Sequence, residues 1–484
     1  MLNPSADIAV VGLAVMGQNL ILNMADHGFT VVAYNRTSSK VQEFLDGPAN
    51  GKSIIGASSI TEMLAHLKKP RRVMFMVKAG SVVDEMIAQV APHLEPGDIL
   101  IDGGNSNYSD TERRLSELTP KGILYVGCGV SGGEEGARNG PSVMPGGSIE
   151  AWPHIEDIFK GISAKTDSNE ACCEWVGSGG SGHFVKMVNN GIEYGDMQLI
   201  TEAWQLLRHV GKLSDDQIAQ TFAKWNQGPL SSYLIEITAD ILKWKEADGS
   251  LVVDHILDAA GQKGTGKWTG INALELGTPL TLITEAVFAR TLSSWKDERV
   301  AASALVKANL LEVSVPETFV QDVHDALLAA KMISYAQGFL LMRAAAKERE
   351  WALDYGSVAL LWRGGCIIRS AFLGRIRDAY MHNPEIASLI VDPWFQEQLA
   401  GAQTGWRRTL CAAIQAGIAL PAMTSALSFF DGYRTANSGA SLLQAQRDYF
   451  GAHTYERTDK PRGVYFHTDW IGSGAFAKSG SYSA

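Results

Sequence analysis

The chain has 484 residues, 46% of them hydrophobic and 19% charged, which is typical of a globular protein too long for a single core. Its net charge of −10 argues against nucleic acid as the main partner, although a local cationic pocket can still bind a small anion. No run reaches the roughly 18 uncharged apolar residues of a membrane span, so we expect no membrane partner.

A strand, a glycine turn and a helix are predicted at the start of the chain. The apolar run 7–11 stops at Gly12-Leu-Ala-Val-Met-Gly17, a helical pattern follows as far as Gly28, and 29–34 is a second strand. This order is typical of a dinucleotide-binding fingerprint, although Ala14 replaces the usual middle glycine. A glycine-rich turn that binds no nucleotide is the alternative. The expected cofactor contacts are Gly12, Leu13, Ala14, Val15, Met16 and Gly17.

The end of the second predicted strand indicates which dinucleotide binds. An NAD enzyme usually has Asp or Glu here to bind the ribose 2′-hydroxyl, whereas this chain has Asn35-Arg36-Thr37. An amide, a guanidinium and a hydroxyl can all donate hydrogen bonds to a 2′-phosphate, which a carboxylate would repel. A solvated arginine at a strand end is the alternative, but together with the glycine turn the pattern favours NADP.

Three further strands are predicted over 72–77, 98–101 and 122–126, and each leads into a polar or glycine-rich loop. These loops carry Val77, Lys78, Ala79, Asn105 and Ser131. In a parallel sheet, ligands bind beyond the carboxyl ends of the strands. We therefore expect these loops to form one site with the turns at Gly12 and Asn35.

A long helix is predicted from 183 to about 209, after a glycine-rich stretch over 177–182 that we interpret as a flexible hinge. Lys186 and Glu193 lie two turns apart on one face, about 10.5 Å along the axis, which leaves room for a small substrate. Gly191 and Gly195 predict a close approach by another helix or by a cofactor. A solvated face is the alternative, but the mixed polar residues favour a site. The same face carries Asn189, Asn190, Tyr194 and Met197.

Distinctive motifs are spread over nearly the whole chain. They include Gly12-Leu-Ala-Val-Met-Gly-Gln-Asn-Leu20, Asp102-Gly-Gly-Asn-Ser106, Gly129-Val-Ser-Gly-Gly-Glu-Glu-Gly-Ala137, Gly182-His-Phe-Val-Lys-Met-Val188, Gly191-Ile-Glu-Tyr-Gly-Asp-Met-Gln198, Gly261-Gln-Lys-Gly-Thr-Gly-Lys-Trp268, Trp362-Arg-Gly-Gly-Cys-Ile-Ile-Arg369 and Gln444-Ala-Gln-Arg-Asp-Tyr-Phe-Gly-Ala-His-Thr-Tyr455. In these motifs the chain resembles the NADP-dependent 6-phosphogluconate dehydrogenase family.

The resemblance implies oxidative decarboxylation of 6-phosphogluconate to ribulose 5-phosphate and CO2 with NADP, a step of the pentose phosphate pathway that uses no metal. Lys186 matches the lysine that takes the proton of the C3 hydroxyl. That role requires a pKa well below the ordinary value of about 10.4, which burial beside the cofactor and cationic neighbours would give. Glu193 matches the acid that protonates C1 of the enediol.

The resemblance also implies how the substrate is held. The positions that hold the sugar acid are matched by Asn105, Ser131, Gly132, Gly133, Asn189 and Asn190, and the contacts to the phosphate are matched by Tyr194, Lys263, Arg290, Arg447 and His453. In the family the residues matched by Arg447 and His453 come from the other subunit, so a homodimer is implied.

The chain departs from the family pattern at three places. Asn189 stands where the family usually has His, and an amide cannot titrate near neutral pH. Asn139 stands where an aromatic residue is usual, and 470–473 reads Trp-Ile-Gly-Ser in place of Trp-Thr-Gly-His. The difference at Asn189 bears on the affinity for substrate or on the reaction rate. The difference at 470–473 bears on the contribution of the tail to the partner's NADP site.

We expect an α/β Rossmann-type domain over 1–180 and a large all-α domain over 181–440, with a second long helix over 321–350. From 441 to 484 the helical pattern is lost and Gly and Ser become frequent, so we expect a tail that reaches the partner subunit. Two other functions stay open. A smaller β-hydroxyacid dehydrogenase would lack Arg447 and His453, and a catalytically weak NADP-binding paralogue is argued against by Lys186 and Glu193. An odd number of cysteines, no C-x-x-C pair and no secretory leader predict a cytoplasmic protein.

Overall fold

The computed structural model describes residues 4–472, and the first part of this range is a seven-stranded sheet. Its strands are Ile8–Val11 (β1), Val31–Tyr34 (β2), Ile54–Ala57 (β3), Arg72–Phe75 (β4), Ile99–Asp102 (β5), Leu124–Ser131 (β6) and Ser142–Gly147 (β7). Their order is β3-β2-β1-β4-β5-β6-β7, and neighbours are parallel except for β6 and β7. The order reverses between β1 and β4, which is where such sheets bind ligands.

Helices cover both faces of this sheet. They are Val15–Asp26 (α1), Ser38–Asp46 (α2), Ile60–Ala65 (α3), Ser81–Val90 (α4), Tyr108–Leu118 (α5), Gly133–Asn139 (α6) and Trp152–Ile162 (α7), with 3-10 turns at Ala91–His93, Thr119–Lys121 and Ile149–Ala151. Successive side chains of a strand point to opposite faces. Ile8 and Val10 therefore belong to one hydrophobic core, whereas Ala9 and Val11 belong to the other. The predicted Rossmann-type fold is confirmed.

Two strands of the sheet were not predicted. β3 contains Gly56, which carries no side chain where Val41 and Leu45 of α2 pack. β7 contains Pro145 and two glycines, which are rare in strands except at a sheet edge, and it pairs there antiparallel to β6.

The next part of the chain is helical. Its helices are Ser181–Gln205 (α8), Asp215–Trp225 (α9), Tyr233–Ile241 (α10), Thr265–Glu275 (α11), Thr281–Ser294 (α12), Lys296–Leu305 (α13), Phe319–Arg349 (α14), Tyr355–Leu361 (α15), Leu373–His382 (α16), Pro393–Ala416 (α17) and Pro421–Tyr433 (α18), with a π-helical turn at Leu206–Val210 and 3-10 turns at Val252–His255 and Leu389–Val391. Both predicted long helices are present, as α8 and α14. They pack against each other, and Lys331 of α14 forms a buried ion pair with Asp196 of α8 at 2.5 Å.

The glycine-rich stretch before α8 is packed against the sheet. A Cβ atom on Gly180 would lie 2.6 Å from the carbonyl oxygen of Tyr108, and one on Gly182 would lie 2.3 Å from that of Gly127. Close approach of backbones, and not chain freedom, explains these glycines. The interpretation as a flexible hinge is therefore wrong.

The chain divides into two compact units, the first ending at Ala426 and the second beginning at Leu427. The second unit contains the helix Ala440–Gly451 (α19) and a hairpin of Tyr455–Glu456 (β8) and Tyr465–Phe466 (β9). The expected loss of helical pattern from 441 is thus wrong for this helix. Ser473, the last residue of the altered 470–473 pattern, lies outside the described residues.

Candidate active site

The turn between β1 and α1 has the geometry of a dinucleotide site. Gly12 has φ of +109°, and a Cβ atom there would lie 2.5 Å from the carbonyl oxygen of Met76. A Cβ atom on Gly17 would lie 1.9 Å from the carbonyl oxygen of Gly12. Only glycine fits at either position. Ala14 and Val15 are exposed at the start of α1, where free backbone N–H groups attract a phosphate.

The loop after β2 lies beside this turn. The side-chain oxygen of Asn35 accepts a hydrogen bond from the backbone N–H of Leu13 at 3.3 Å, which ties the two loops together. Arg36 and Thr37 are exposed, and Arg36 forms no ion pair within residues 4–472. Val77, Lys78 and Ala79 follow β4 at the same edge, with Lys78 exposed. The arrangement fits a dinucleotide with an additional phosphate.

A buried network holds the loop after β5. Asp102 accepts hydrogen bonds from the Ser106 hydroxyl at 2.6 Å and from the Arg114 guanidinium at 3.1 Å, and its other oxygen accepts from the N–H of Gly104. These bonds fix both sides of Asn105, whose own side chain is exposed. Because β1, β2, β4, β5 and β6 are parallel, all five predicted loops follow strands at one edge of the sheet, as expected.

Lys186 lies in a small cavity between α8, the Asn105 loop and α11. Only 5% of Lys186 is exposed, and Gly129 of β6 packs against its Cβ, where a side chain would clash. Burial lowers the pKa of Lys186, opposed by the nearby Glu193 and Cys366. The shift has the expected direction, but its cause is burial alone, since the charged neighbour is an acid and not the expected cation. The cavity is lined by Asn105, Ser106, His183, Lys186, Met187, Asn190, Thr265 and Trp268.

Glu193 follows two turns after Lys186 on α8, as the spacing predicts. It accepts a hydrogen bond from the Asn190 amide at 3.0 Å, while the Asn190 oxygen is buried with no partner in the structure. Gly191 and Gly195 bring neighbouring helices close, since Cβ atoms there would lie 2.7 Å from Thr269 of α11 and 2.6 Å from Ser334 of α14. The prediction of close approach is confirmed, and the partner in both cases is a helix.

Ser131, Gly132 and Gly133 join β6 to α6 on the other side of Lys186. Both glycines have positive φ, of +112° and +63°, and the Ser131 hydroxyl donates to the thiol of Cys366 at 3.4 Å. Gly132 and Cys366 also line an open cleft of about 630 Å³. Cys366 is also close to Lys186, although it is not among the residues that line the small cavity.

Part of the expected phosphate-binding group is assembled within the first unit. The Arg290 guanidinium stacks on the Tyr194 ring at 3.7 Å and donates to the carbonyl oxygen of Gly261 at 3.3 Å. Lys263 is exposed in the loop that follows Gly261. Arg447 and His453 belong to the second unit, where the Arg447 guanidinium donates to the Gln444 side chain at 3.1 Å.

Sequence reasoning missed Cys366 and five residues that line the cavity: Ser106, His183, Met187, Thr265 and Trp268. All six fall inside the quoted motifs, which were the available signal. Within residues 4–472, no group of three or more His, Cys, Asp or Glu side chains is placed to hold a metal ion. None of the helices over the same range has the length and apolarity to cross a bilayer.

Comparison with known proteins finds similar proteins over nearly the whole chain. The family model for the NAD binding domain of 6-phosphogluconate dehydrogenase matches residues 7–177, and that for the 6-phosphogluconate dehydrogenase C-terminal domain matches 182–470. A decarboxylating 6-phosphogluconate dehydrogenase of Aggregatibacter actinomycetemcomitans is 60% identical, covering 98% of this chain and 99% of its own. The Homo sapiens enzyme of that name is 58% identical over 99% of both.

Among solved structures, Plasmodium falciparum 6-phosphogluconate dehydrogenase superposes with a TM-score of 0.92 at 43% identity. The match covers 96% of this chain and 100% of that one. The Plasmodium enzyme was solved in its apo form, with its cofactor NADP+ and with its substrate 6-phosphogluconate.

Proposed function

The chain belongs to the 6-phosphogluconate dehydrogenase family, and we propose that the face of α8 carrying Lys186 and Glu193 is its catalytic centre. The protein oxidises and decarboxylates 6-phosphogluconate with NADP. The observation that carries the site is the buried Lys186, two helical turns from Glu193 and in one cavity with Asn105. Family matches from residue 7 to 470 leave no support for a smaller β-hydroxyacid dehydrogenase.

Lys186 begins the reaction as a base. Since burial favours its neutral form, its amine can take the proton of the C3 hydroxyl while C3 loses a hydride. NADP, when bound, accepts that hydride. The ammonium of Lys186 then donates to the new C3 carbonyl oxygen, which draws electrons from the C1–C2 bond as CO2 leaves. Glu193 protonates the terminal carbon of the resulting enediol, which becomes C1 of ribulose 5-phosphate.

The residues at the sheet edge fit NADP. The pyrophosphate would lie on the turn formed by Gly12, Leu13, Ala14, Val15, Met16 and Gly17. A Cβ atom at Gly12 or Gly17 would clash with neighbouring backbone, so these glycines allow the tight turn that places the start of α1 beside β1. Asn35, Arg36 and Thr37 would hold the 2′-phosphate, with Val77, Lys78, Ala79 and Asn105 along the nicotinamide half. The exposed guanidinium of Arg36 supports this assignment.

The substrate would lie between these loops and α8. Ser131, Gly132, Gly133 and Asn190 face its sugar acid, and the buried unpartnered oxygen of Asn190 supports a contact to a hydroxyl. The stacked pair of Tyr194 and Arg290, with Lys263 beside it, would bind the phosphate. A phosphate with nearly two negative charges requires such a cationic group.

Arg447 and His453 would complete the phosphate site from the partner subunit of a homodimer. Support comes from large apolar side chains exposed on the first unit, since Phe288, Trp295 and Leu305 are 61%, 53% and 82% exposed. Patches of this kind mark surfaces that a partner covers.

All five cysteines are free thiols, which supports the cytoplasm as the compartment.

One assay tests this function. Purified protein is mixed with 6-phosphogluconate and NADP, and NADPH absorbance and released CO2 are followed together. We expect one CO2 for each NADPH, because the keto acid is decarboxylated in the same site. Tight NADP binding without turnover would instead support the weak paralogue, and NADPH without CO2 would remove the decarboxylating role.

A further inference from the structure

The amide of Asn189 is held between Lys186 and a cysteine from a distant part of the chain. Asn189 follows Lys186 by three positions on α8 and is fully buried. Its oxygen accepts a hydrogen bond from Lys186 Nζ at 2.9 Å, and its nitrogen donates to Sγ of Cys366 at 3.1 Å. The same sulfur accepts from the Ser131 hydroxyl. The amide thus links the lysine to Cys366 and, through its sulfur, to Ser131.

The chemistry of the two neighbours agrees with the way the amide points. The Lys186 nitrogen carries N–H donors in both its neutral and its protonated form, and the amide oxygen accepts from it. The thiol sulfur is a weak acceptor and suits the amide nitrogen. The next residue differs, because the Asn190 oxygen is buried without a partner and lines the cavity. Asn190 therefore has an acceptor to offer a substrate, whereas the acceptor of Asn189 is already used.

We propose that Asn189 is a positioning residue that acts on the reaction through Lys186: its amide, oriented by Cys366, holds the lysine nitrogen in place. This inference rests on the proposed role of Lys186 as the base. The family resemblance implies that this position contacts the sugar acid directly. In the role that we propose, Asn189 contacts the base instead.

The hydrogen bond has two consequences for Lys186. It restricts rotation of the amine, so that the lone pair of the neutral form is directed at one place in the cavity. It also favours the protonated form, since a hydrogen bond to a charged donor is stronger than one to a neutral donor. An amide keeps both effects constant with pH, because it does not titrate.

Few other groups act on the Lys186 charge. Glu193 and His183 come from α8 itself, and burial lowers the pKa of His183, which favours its neutral form. Cys366 comes from the segment before α16. The Asn105 loop and α11 contribute only uncharged side chains to the cavity: Asn105, Ser106, Thr265 and Trp268. Position 189 lies at hydrogen-bond distance from Lys186 Nζ. Because few other charges are close, a charge introduced there acts strongly on Lys186.

Two substitutions test the proposal by moving the acid limb of the pH–rate profile in opposite directions. Asn189→Asp places a carboxylate beside the amine, which raises the pKa of Lys186. The acid limb then moves up by about one pH unit or more, so the rate at a pH below the limb falls about tenfold. Asn189→Ala removes the acceptor, so the limb moves down, and kcat falls about tenfold because the amine is no longer held. The dissociation constant of 6-phosphogluconate stays within about threefold in both.

Asn50→Asp is the matched control, since it makes the same change at an exposed turn of the sheet domain and should leave the profile unchanged. If Asn189→Asp fails to fold, judged by circular dichroism, the downward shift of Asn189→Ala still decides. An unmoved limb, or a tenfold weaker substrate affinity at unchanged kcat, would overturn the proposal in favour of a substrate contact. A wild-type protein without turnover would refute the proposed function, whereas an active wild type with unshifted variants refutes only the role of Asn189.

Discussion

At the scale of single residues, burial and missing partners indicate function more sharply than residue type. Lys331 and Lys186 both lie on long helices and are both buried, but Lys331 pairs with Asp196 at 2.5 Å. Lys186 meets a neutral amide in a cavity, so its charge is not matched by a directly bonded acid. A buried amine without an ion pair is poised to lose its proton.

Arg36 provides a test of cofactor choice at this scale. We expect Arg36→Ala to raise the KM for NADP by about 10- to 100-fold, because charge-assisted hydrogen bonds to the 2′-phosphate are lost. The KM for NAD, which lacks that phosphate, should hardly change. Initial rates with both cofactors measure the ratio, with Arg375→Ala, an exposed arginine of α16, as the control. Equal effects on NADP and NAD would show that Arg36 does not read the phosphate.

Sequence alone predicted much of the site because its residues follow local rules. The Gly12 turn, the loop at Asn35 and the spacing from Lys186 to Glu193 each lie within one or two elements. Cys366 could not be placed in this way, since it meets Asn189 across 177 residues of chain. No periodicity or spacing encodes a contact that depends on how α8, β6 and the segment before α16 pack.

At the scale of elements, the N-terminal end of α18 is capped by a residue far away in sequence. Glu202 on α8 is fully buried and accepts hydrogen bonds from the backbone N–H groups of Ala422 and Met423 in the first turn of α18. Burial raises the pKa of Glu202 to about 7, although these bonds and one from Gln198 oppose the shift. This carboxyl therefore keeps its proton in the folded protein at a pH where an unfolded chain would release it.

The raised pKa of Glu202 predicts how stability depends on pH. The native state holds one more proton than the unfolded state between about 4.5 and 7, so the contribution of Glu202 falls with rising pH by up to about 1.4 kcal/mol per unit. Glu202→Gln does not titrate. The Tm of this variant minus that of the wild type should therefore rise from pH 5 to pH 7, measured by thermal unfolding. Glu43→Gln, at an exposed position of α2, should give a flat difference, and a flat result for Glu202→Gln would show that its carboxyl is ionised throughout.

Elements with regular patterns were predicted well, and irregular ones were not. Apolar runs gave β1, β2, β4, β5 and β6, and the 3.6-residue pattern gave α8 and α14. The edge strand β7 carries Pro145 and two glycines, and its pairing with β6 depends on the sheet around it. The helix α19 was missed because the glycines and serines around it suggested an irregular tail.

At the scale of the whole molecule, the second unit is organised around one carboxylate. Asp448 of α19 accepts hydrogen bonds from the backbone of Thr454 and Thr468 and from the side chains of His467 and Trp470. These bonds hold the chain in place both before and after His453. Arg447 and His453 are therefore carried by a folded element, as a contribution to a partner's site would require.

Mixed dimers test whether that contribution crosses between subunits. Lys186→Met and Arg447→Ala are each expected to be nearly inactive as homodimers. If Arg447 acts on the partner's site, dissociating and reassociating the two together produces mixed dimers with one intact site, and activity recovers to about a quarter of the wild type. If Arg447 serves its own subunit, mixing restores nothing. Recovery after mixing is measured by NADPH formation at saturating substrate.

The most direct test of the catalytic assignment is the turnover of Lys186→Met with 6-phosphogluconate and NADP. We expect kcat to fall by about 10²- to 10⁴-fold, because a general base contributes rate on that scale, while both dissociation constants stay close to those of the wild type. Lys121→Met, at an exposed turn, should leave kcat unchanged. A Lys186→Met protein that keeps more than about a tenth of wild-type kcat would contradict the assignment of Lys186 as the base.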